Sequence, residues 1–469
     1  MAEVQVRSLT DGSVGKHMTR MAIPMFFGIS SMMISALVDA IYVGQLGTKE
    51  LAAVSLTFPI FMGMTSVAMG LGIGATSVVS RMLGSGDHSK GLKICNHTIL
   101  LTLILIGVVL ILGFTTMNGI YSLLGADPEL HPWAVRYTEI LLLGLPFFAI
   151  SMIGSMMLRS MGDIKTAAVI MIVASIVQVL IAPVLIFGIG SWEGIGLYGS
   201  AWAFVISRFV LFFYAIVRFR SYGLFQQIGS WSEVLSSWAE ILRLGLPSMS
   251  SQLIHPISMG ILLGILATFG TATVAAFGVV TRIEGLAMMV LMAVASSLGP
   301  VIGQNFGAKR FDRVRHAVRL AYRFSMLYGV GIAIVLFIFA DPIVSVFRDD
   351  PEVIEVGIVF LMVVPVTLGV AGIGALSGSI FVAYGEALPS FVLSLLRSIV
   401  VLVPVVLVFK QLWGYVGVFI GIAVTNVIVG GAAFIWLQYS TKKHVESGKV
   451  PEKPQNLAES TLDPVMDEA

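Results

Sequence analysis

The chain has 469 residues, of which 57% are hydrophobic and 12% charged, with a net charge of +2 and a mean hydropathy of +0.95. Soluble domains carry about 25% charged residues, and even a large one leaves about a quarter of its surface in water, so a set of soluble domains is excluded and lipid must solvate most of this chain. At ~20 apolar residues per crossing the length has room for ten to fourteen helices, and the near-neutral balance gives no sign of a nucleic-acid partner.

Residues 1–19 are mixed and polar, and read as a short cytoplasmic leader to an uncleaved first helix. Apolar runs then predict twelve spans near 20–43, 52–79, 94–117, 133–157, 165–188, 196–218, 242–268, 273–301, 317–340, 354–379, 388–409 and 415–438. The expected organisation is a first bundle over 20–220, a cytoplasmic linker over 221–240, a second bundle over 241–439 and a disordered cytoplasmic tail over 440–469. Of 28 Lys and Arg residues, 21 fall in the N-terminus, the even-numbered loops and the tail; only Lys49, Arg348 and Lys410 fall in odd-numbered loops. That bias predicts that both termini are cytoplasmic. The basic cluster Lys309, Arg310, Arg313, Arg315, Arg319 and Arg323 reads as a topology anchor or an anionic-lipid contact.

Shifting the chain by 223 residues superposes its landmarks: Pro24 on Pro247, Gly47-Thr48 on Gly270-Thr271, Gly84 on Gly307, Asp127-Pro128-Glu129 on Asp350-Pro351-Glu352 and Gly162 on Gly385. Near the end the shift shortens to 218, placing Gly196 and Gly199 on Gly414 and Gly417. The chain is therefore two homologous sets of six helices. Six is even, so both halves enter from the same side and are related by an axis along the membrane normal. The predicted fold is an all-α polytopic membrane protein, two parallel six-helix bundles around a central cleft.

Ionisable groups inside the spans are expensive, and so informative. Asp39 interrupts an otherwise apolar first helix. It reads either as an interfacial acid reaching water or as a cavity carboxylate able to exchange a proton. Pro24, fifteen residues earlier, marks a bend in the same helix. His255, followed by Pro256, is a hydrogen-bonded core histidine or a second titrating group. Arg282 and Glu284 lie two apart and point away from each other. Arg208 and Arg397 are deep and lack a partner in sequence, whereas Arg136 and Glu139 are spaced for a local ion pair. The single cysteine, Cys95, excludes an intrachain disulfide. Nucleotide-binding glycine loops, metal-ligand spacing and hydrolytic constellations are absent from the sequence, which argues against an enzyme or a bound cofactor.

The runs VDAIYVGQLGTKELAAVS at 38–55, FGTATVAAFGVVTRIEGLA at 269–287 and GQNFGAKRFDR at 303–313 resemble the multidrug and toxic compound extrusion (MATE) transporters, the last two most closely the branch named after the DNA-damage-inducible F protein. The resemblance spans residues 18–440. It implies alternating access in a cell (inner) membrane, exporting organic small molecules against entering H⁺ or Na⁺, with Asp39 as the coupling acid, Pro24 as its helix-bending residue and Tyr42 beside it in the cavity. Many relatives carry Asn and Asp on the fifth helix and Thr on the sixth; here those positions hold Gln178, Ala182 and Phe204. Ala and Phe offer no oxygen to Na⁺, which favours protons. Another branch's acids in the seventh and tenth helices are His255 and Ile373 here. The expectation is a proton-coupled antiporter for amphipathic compounds, functional as a monomer. Its alternative is a flippase for an anionic lipid-linked saccharide, whose cargo would suit Arg208, Arg282 and Arg397 in the cleft.

Overall fold

The computed structural model describes residues 8–446 apart from 124, 126, 225–227 and 347–349. Lipid offers backbone N–H and C=O groups no partner, so each apolar run closes its hydrogen bonds as a helix. In chain order these are α1 (Val14–Leu46), α2 (Thr48–Gly84), α3 (His88–Leu123), α4 (His131–Ser160), α5 (Ile164–Phe187), α6 (Leu197–Ser221), α7 (Trp231–Ala267), α8 (Thr271–Gly307), α9 (Phe311–Ile338), the short α10 (Ala340–Ser345), α11 (Pro351–Val363), α12 (Leu368–Tyr384), α13 (Ala387–Leu395) and α14 (Leu402–His444). A 3₁₀ turn at Pro365–Thr367 joins α11 to α12 within one crossing. A π turn at Leu396–Val400 joins α13 to α14, ahead of Pro404, whose missing N–H leaves the Val400 carbonyl without a helical donor.

Among the described residues, eleven helical runs are long and apolar enough to cross a membrane, the last being the 58 residues Ala387–His444. At 1.5 Å per residue that run would measure roughly 87 Å, nearly three hydrocarbon thicknesses. It reverses at Trp413 (φ −135°) and Gly414 (φ 60°, ψ −137°), which makes twelve crossings. Gly196, the repeat mate of Gly414, enters α6 with φ 57° and ψ −135°, a conformation side-chain-bearing residues rarely adopt. The helices also outrun the apolar stretches. Ser13 caps α1 at residue 14, and the last helix continues to His444, so residues 440–444 are helix and not tail. Arg348 and 447–469 lie outside the described residues.

The internal symmetry reappears in the packing between the halves. A Cβ added to Gly84 would stand 2.0 Å from the Gln304 carbonyl oxygen, and one added to its mate Gly307 would stand 2.0 Å from the carbonyl oxygen of Arg81, the mate of Gln304. Ser80 and Gly303 are each other's mates and touch directly, so the pseudo-twofold axis passes between them. Around it Gly70 and Gly74 seat on Met249, Gly245 and Ile241, Ser77 donates to the Val382 carbonyl at 2.5 Å, and Arg81 pairs with Glu240 at 3.1 Å. All of these contacts lie toward the end of the molecule that carries both termini. Toward the other end Gly63, Gly260, Gly264, Gly278 and Gly285 meet nothing within 4 Å of an added Cβ. The cleft is therefore shut at the end with the termini and open at the opposite one.

The N-terminal segment straps the shut end. The Leu9 N–H donates to Gln304 Oε1 at 2.8 Å, and Asn305 donates to the Leu9 carbonyl at 3.1 Å. Arg310 pairs with Asp11 at 3.0 Å, and Arg313 donates to the Gly12 carbonyl at 2.7 Å. Two members of the basic cluster are thus spent on holding residues 11 and 12. Gln304 also donates to the Ser160 carbonyl at 2.7 Å, tying α4 to the same strap. Below Pro24, Val14, Met18 and Met21 of α1 are buried with Val301, Ile302 and Val314 of the second half, so α1 belongs to both bundles.

Candidate functional site

Asp39 lies in the open-end half of α1, turned away from the cleft and into the first bundle. The hydroxyl of Ser200 on α6 sits 2.8 Å from Asp39 Oδ1 and 2.7 Å from Oδ2. Tyr137 of α4 stands 2.9 Å from the same serine oxygen. A serine hydroxyl has one proton; while Ser200 gives it to the carboxylate, Tyr137 is the donor to Ser200. The result is a chain Tyr137→Ser200→Asp39 across three helices. Tyr137 and Ser200 are buried, and Val43, Ala53, Leu141, Ala201, Phe204 and Val205 form an apolar shell with Tyr137. An aspartate in such a shell, bonded to the one hydroxyl of Ser200 and to no cation among the described residues, can take up or release a proton without breaking an ion pair.

The other first-bundle positions form a second layer. Gln178 Oε1 accepts from Arg208 at 3.3 Å, and the guanidinium lies 5.0 Å from the Phe204 ring centre and 5.7 Å from that of Phe148. Arg208 Nε is buried with no hydrogen-bond partner among the described residues. Ser200, Phe204 and Arg208 repeat every four residues on one face of α6, so the two layers share a wall. Ala182 is buried with Ile186 and Ala203, and Tyr42 packs against that cluster and edge-on to Phe187 at 6.2 Å. The tyrosine thus meets apolar side chains of α5, and its hydroxyl makes no hydrogen bond to Asp39. The layer brings together Gln178, Phe204 and Arg208, and gives Arg208 the partners that the sequence did not reveal.

In the second bundle Arg397 sits on the π turn and interacts electrostatically with Glu284 and with His255. Glu284 follows Val280 and precedes Ala287 and Leu291 on the face of α8 that packs into its own bundle. Arg282 is turned the other way, is exposed, and forms no ion pair among the described residues. The local pair Arg136–Glu139 forms at 3.2 Å. No group of three His, Cys, Asp or Glu able to hold a metal occurs among the described residues.

Ser200 and Tyr137 escaped sequence reasoning. Ser200 precedes Phe204 by four residues and could have been found by extending that position one helical turn along its face. Nothing local distinguishes Tyr137.

The MatE family matches residues 24–184 and again 247–408, two stretches whose starts lie 223 residues apart like the repeat itself. The FAD transporter of Shewanella oneidensis is 31% identical over 434 residues, covering 92% of this chain and 96% of that protein. The multidrug export protein MepA of Staphylococcus aureus is 23% identical over 441 residues, 93% and 96% of the two chains. The crystal structure of the Vibrio cholerae MATE transporter VcmN in the bent form superposes with a TM-score of 0.87 at 29% identity, covering 96% of this chain and all of that one. Matched in both halves and alike in fold over nearly its whole length, the protein belongs to the MatE family, multi-pass membrane transporters that move small molecules on ion gradients and are not enzymes.

Proposed function

We propose that this transporter exports amphipathic organic compounds in exchange for entering protons, acting as a monomer in the cell membrane with both termini in the cytoplasm. In that orientation the described conformation opens outward. The observation that carries the reading is the Asp39 site: a carboxylate bonded to the hydroxyl of Ser200 in an apolar shell, where Ala182 and Phe204 supply nothing a sodium ion would coordinate. Protonation removes the charge that draws Ser200 to both oxygens. Pro24 lies on the same helix between Met21 and Met25, which pack on the second bundle. Pro24 and Arg20 line a cavity of about 440 Å³, room into which α1 can bend. A bend at Pro24 would thus carry a change at Asp39 to the strapped end of the cleft. The test is ethidium transport by the purified protein in proteoliposomes, with pH and Na⁺ gradients imposed separately. The pH gradient alone should drive it; transport driven only by Na⁺ overturns the proposal.

A second reading, an anionic cargo such as a flavin dinucleotide or the lipid-linked saccharide of a flippase, draws support from two facts. One is the exposed, unpaired Arg282 at the cleft; the other is the 31% identical relative named a FAD transporter. Arg208 and Arg397 do not join it: one is sealed inside the first bundle with Gln178, and the other lies within electrostatic range of Glu284 in the second.

A further inference from the structure

Arg282 has a definite place in the cleft. Seven residues below it on α8, two helical turns along the same face, Met289 accepts a hydrogen bond from Ser30 of α1 at 2.9 Å. Further down that face Gly303 touches Ser80 and Gly307 touches Arg81. The face on which Arg282 stands is therefore the one α8 presents to the other bundle, and Arg282 stands above the point where the bundles part. Counted from Thr271 it lies roughly 16 Å below the open end. Gly278 and Gly285, one turn to either side, meet nothing within 4 Å of an added Cβ, and Arg282 itself is exposed.

Among the described residues, the facing walls of α1 and α2 offer it no counter-ion. On α1, residues 34, 37 and 41 continue the face of Ser30, and Ile34, Leu37 and Ile41 are 60%, 56% and 51% exposed. Asp39 is turned to the opposite side of that helix and is held by Ser200. On α2 the repeat mate of Arg282 is Pro59, beside the bare Gly63. Glu284, two residues on, points into its own bundle. A permanent cation at this depth is costly unless wetted or paired, and this one has an apolar wall opposite and open space around it.

We infer that Arg282 is the recognition point for the anionic group of an amphipathic cargo, a phosphate monoester or free carboxylate carried on an aromatic or aliphatic body, with Ile34, Leu37 and Ile41 receiving the apolar part. This rests on the anionic-cargo reading and is independent of which ion drives transport. Guanidinium donors suit such oxyanions because they bind them through two hydrogen bonds at once.

The test uses full-length protein in lipid nanodiscs and two probes that share one ring system, riboflavin and its 5′-phosphate, with binding read by fluorescence polarisation. The phosphate should bind about tenfold or more tightly than riboflavin, a difference worth one charge-assisted contact. Arg282→Gln should erase that preference while leaving riboflavin binding unchanged, and Arg282→Lys should keep part of it. Ethidium transport measured on the same variants reports folding and the antiport cycle separately. Wild-type protein that shows no preference for the phosphate, or an Arg282→Gln protein that transports ethidium and keeps the preference, overturns the assignment and leaves the antiporter reading standing.

Discussion

The two bundles share a scaffold and differ in what they hold at its centre. In the first, Asp39, Tyr137 and Ser200 form a hydrogen-bonded chain. Their repeat mates in the second are Leu262, Phe360 and Val418, and all three are buried in a single hydrophobic cluster. Conversely Glu284 and Arg282 of the second bundle correspond to Phe61, which packs edge-on to Phe204 at 5.3 Å, and to Pro59. Duplication preserved the backbone features that packing requires, the glycines at the axis and at the reversals into α6 and the last crossing. It left the polar positions free to diverge. One half holds an acid bonded to a serine hydroxyl, and the mates of that site form an apolar plug. On the function proposed above, the first bundle couples the ion and the second holds the cargo.

The largest expected effect strikes the acid directly. Asp39→Asn should reduce proton-driven ethidium transport to background while the protein still inserts and runs monodisperse; full transport by this variant would remove the basis for calling the first bundle the coupling half. Moving the acid across the repeat is the sharper version. Leu262→Asp places a carboxylate where Phe360 and Val418 offer no hydroxyl, so an unpaired charge is buried. Folded yield should collapse, and normal yield would mean that the second bundle is wetter than its apolar cluster implies.

A third change tests the symmetric contact itself. Gly307→Ala drives a Cβ to 2.0 Å from the Arg81 carbonyl oxygen, an overpacking that costs about 1–3 kcal/mol. The shut end should loosen by a population factor of roughly five to 150, seen as longer distances between spin labels on the α2–α3 and α8–α9 turns. Unchanged distances would show that the strap from Leu9 to Gln304 holds that end alone.

The smallest effect is electrostatic and peripheral. Asp163, the cap of α5 outside the membrane, is partly buried, which alone would raise its carboxyl. Bonds from Thr166, Tyr222 and Arg218 outweigh that and hold it below its ordinary value of 3.8. A depressed carboxyl contributes stability that is complete above the ordinary value and lost as pH falls through the lower one. Thermal stability should therefore lose this contribution only in acid below about pH 4. Asp163→Asn should lower Tm by a few degrees at neutral pH, and an unchanged Tm would show that the neighbouring hydroxyls suffice.

Much of this was legible in the chain itself. Hydropathy is local, so the twelve crossings could be counted, and the gap between the last two spans is where Gly414 reverses an otherwise continuous helical run. The repeat was legible because glycines and prolines answer to backbone geometry and keep their spacing. Asp39 and Pro24 stood out as exceptions within an apolar helix. Ser200 did not, being one more serine, and its partner lies 161 residues away. Arg208 and Gln178 were noted separately, and only the antiparallel packing of α5 on α6 joins them. The strap over residues 9–12 read as an unremarkable leader, because backbone carbonyls carry no sequence signature.

By itself the sequence determined the solvent, the number of helices, their duplication and the first-helix acid that had to be explained. Tertiary structure decided which face each helix turns to which neighbour. That choice sent Asp39 into the first bundle and Arg282 into the cleft, and it set the end at which the bundles touch. The reason is physical: crossing a membrane is a property of twenty consecutive residues, whereas a polar group's partner is chosen by packing among helices far apart in the chain.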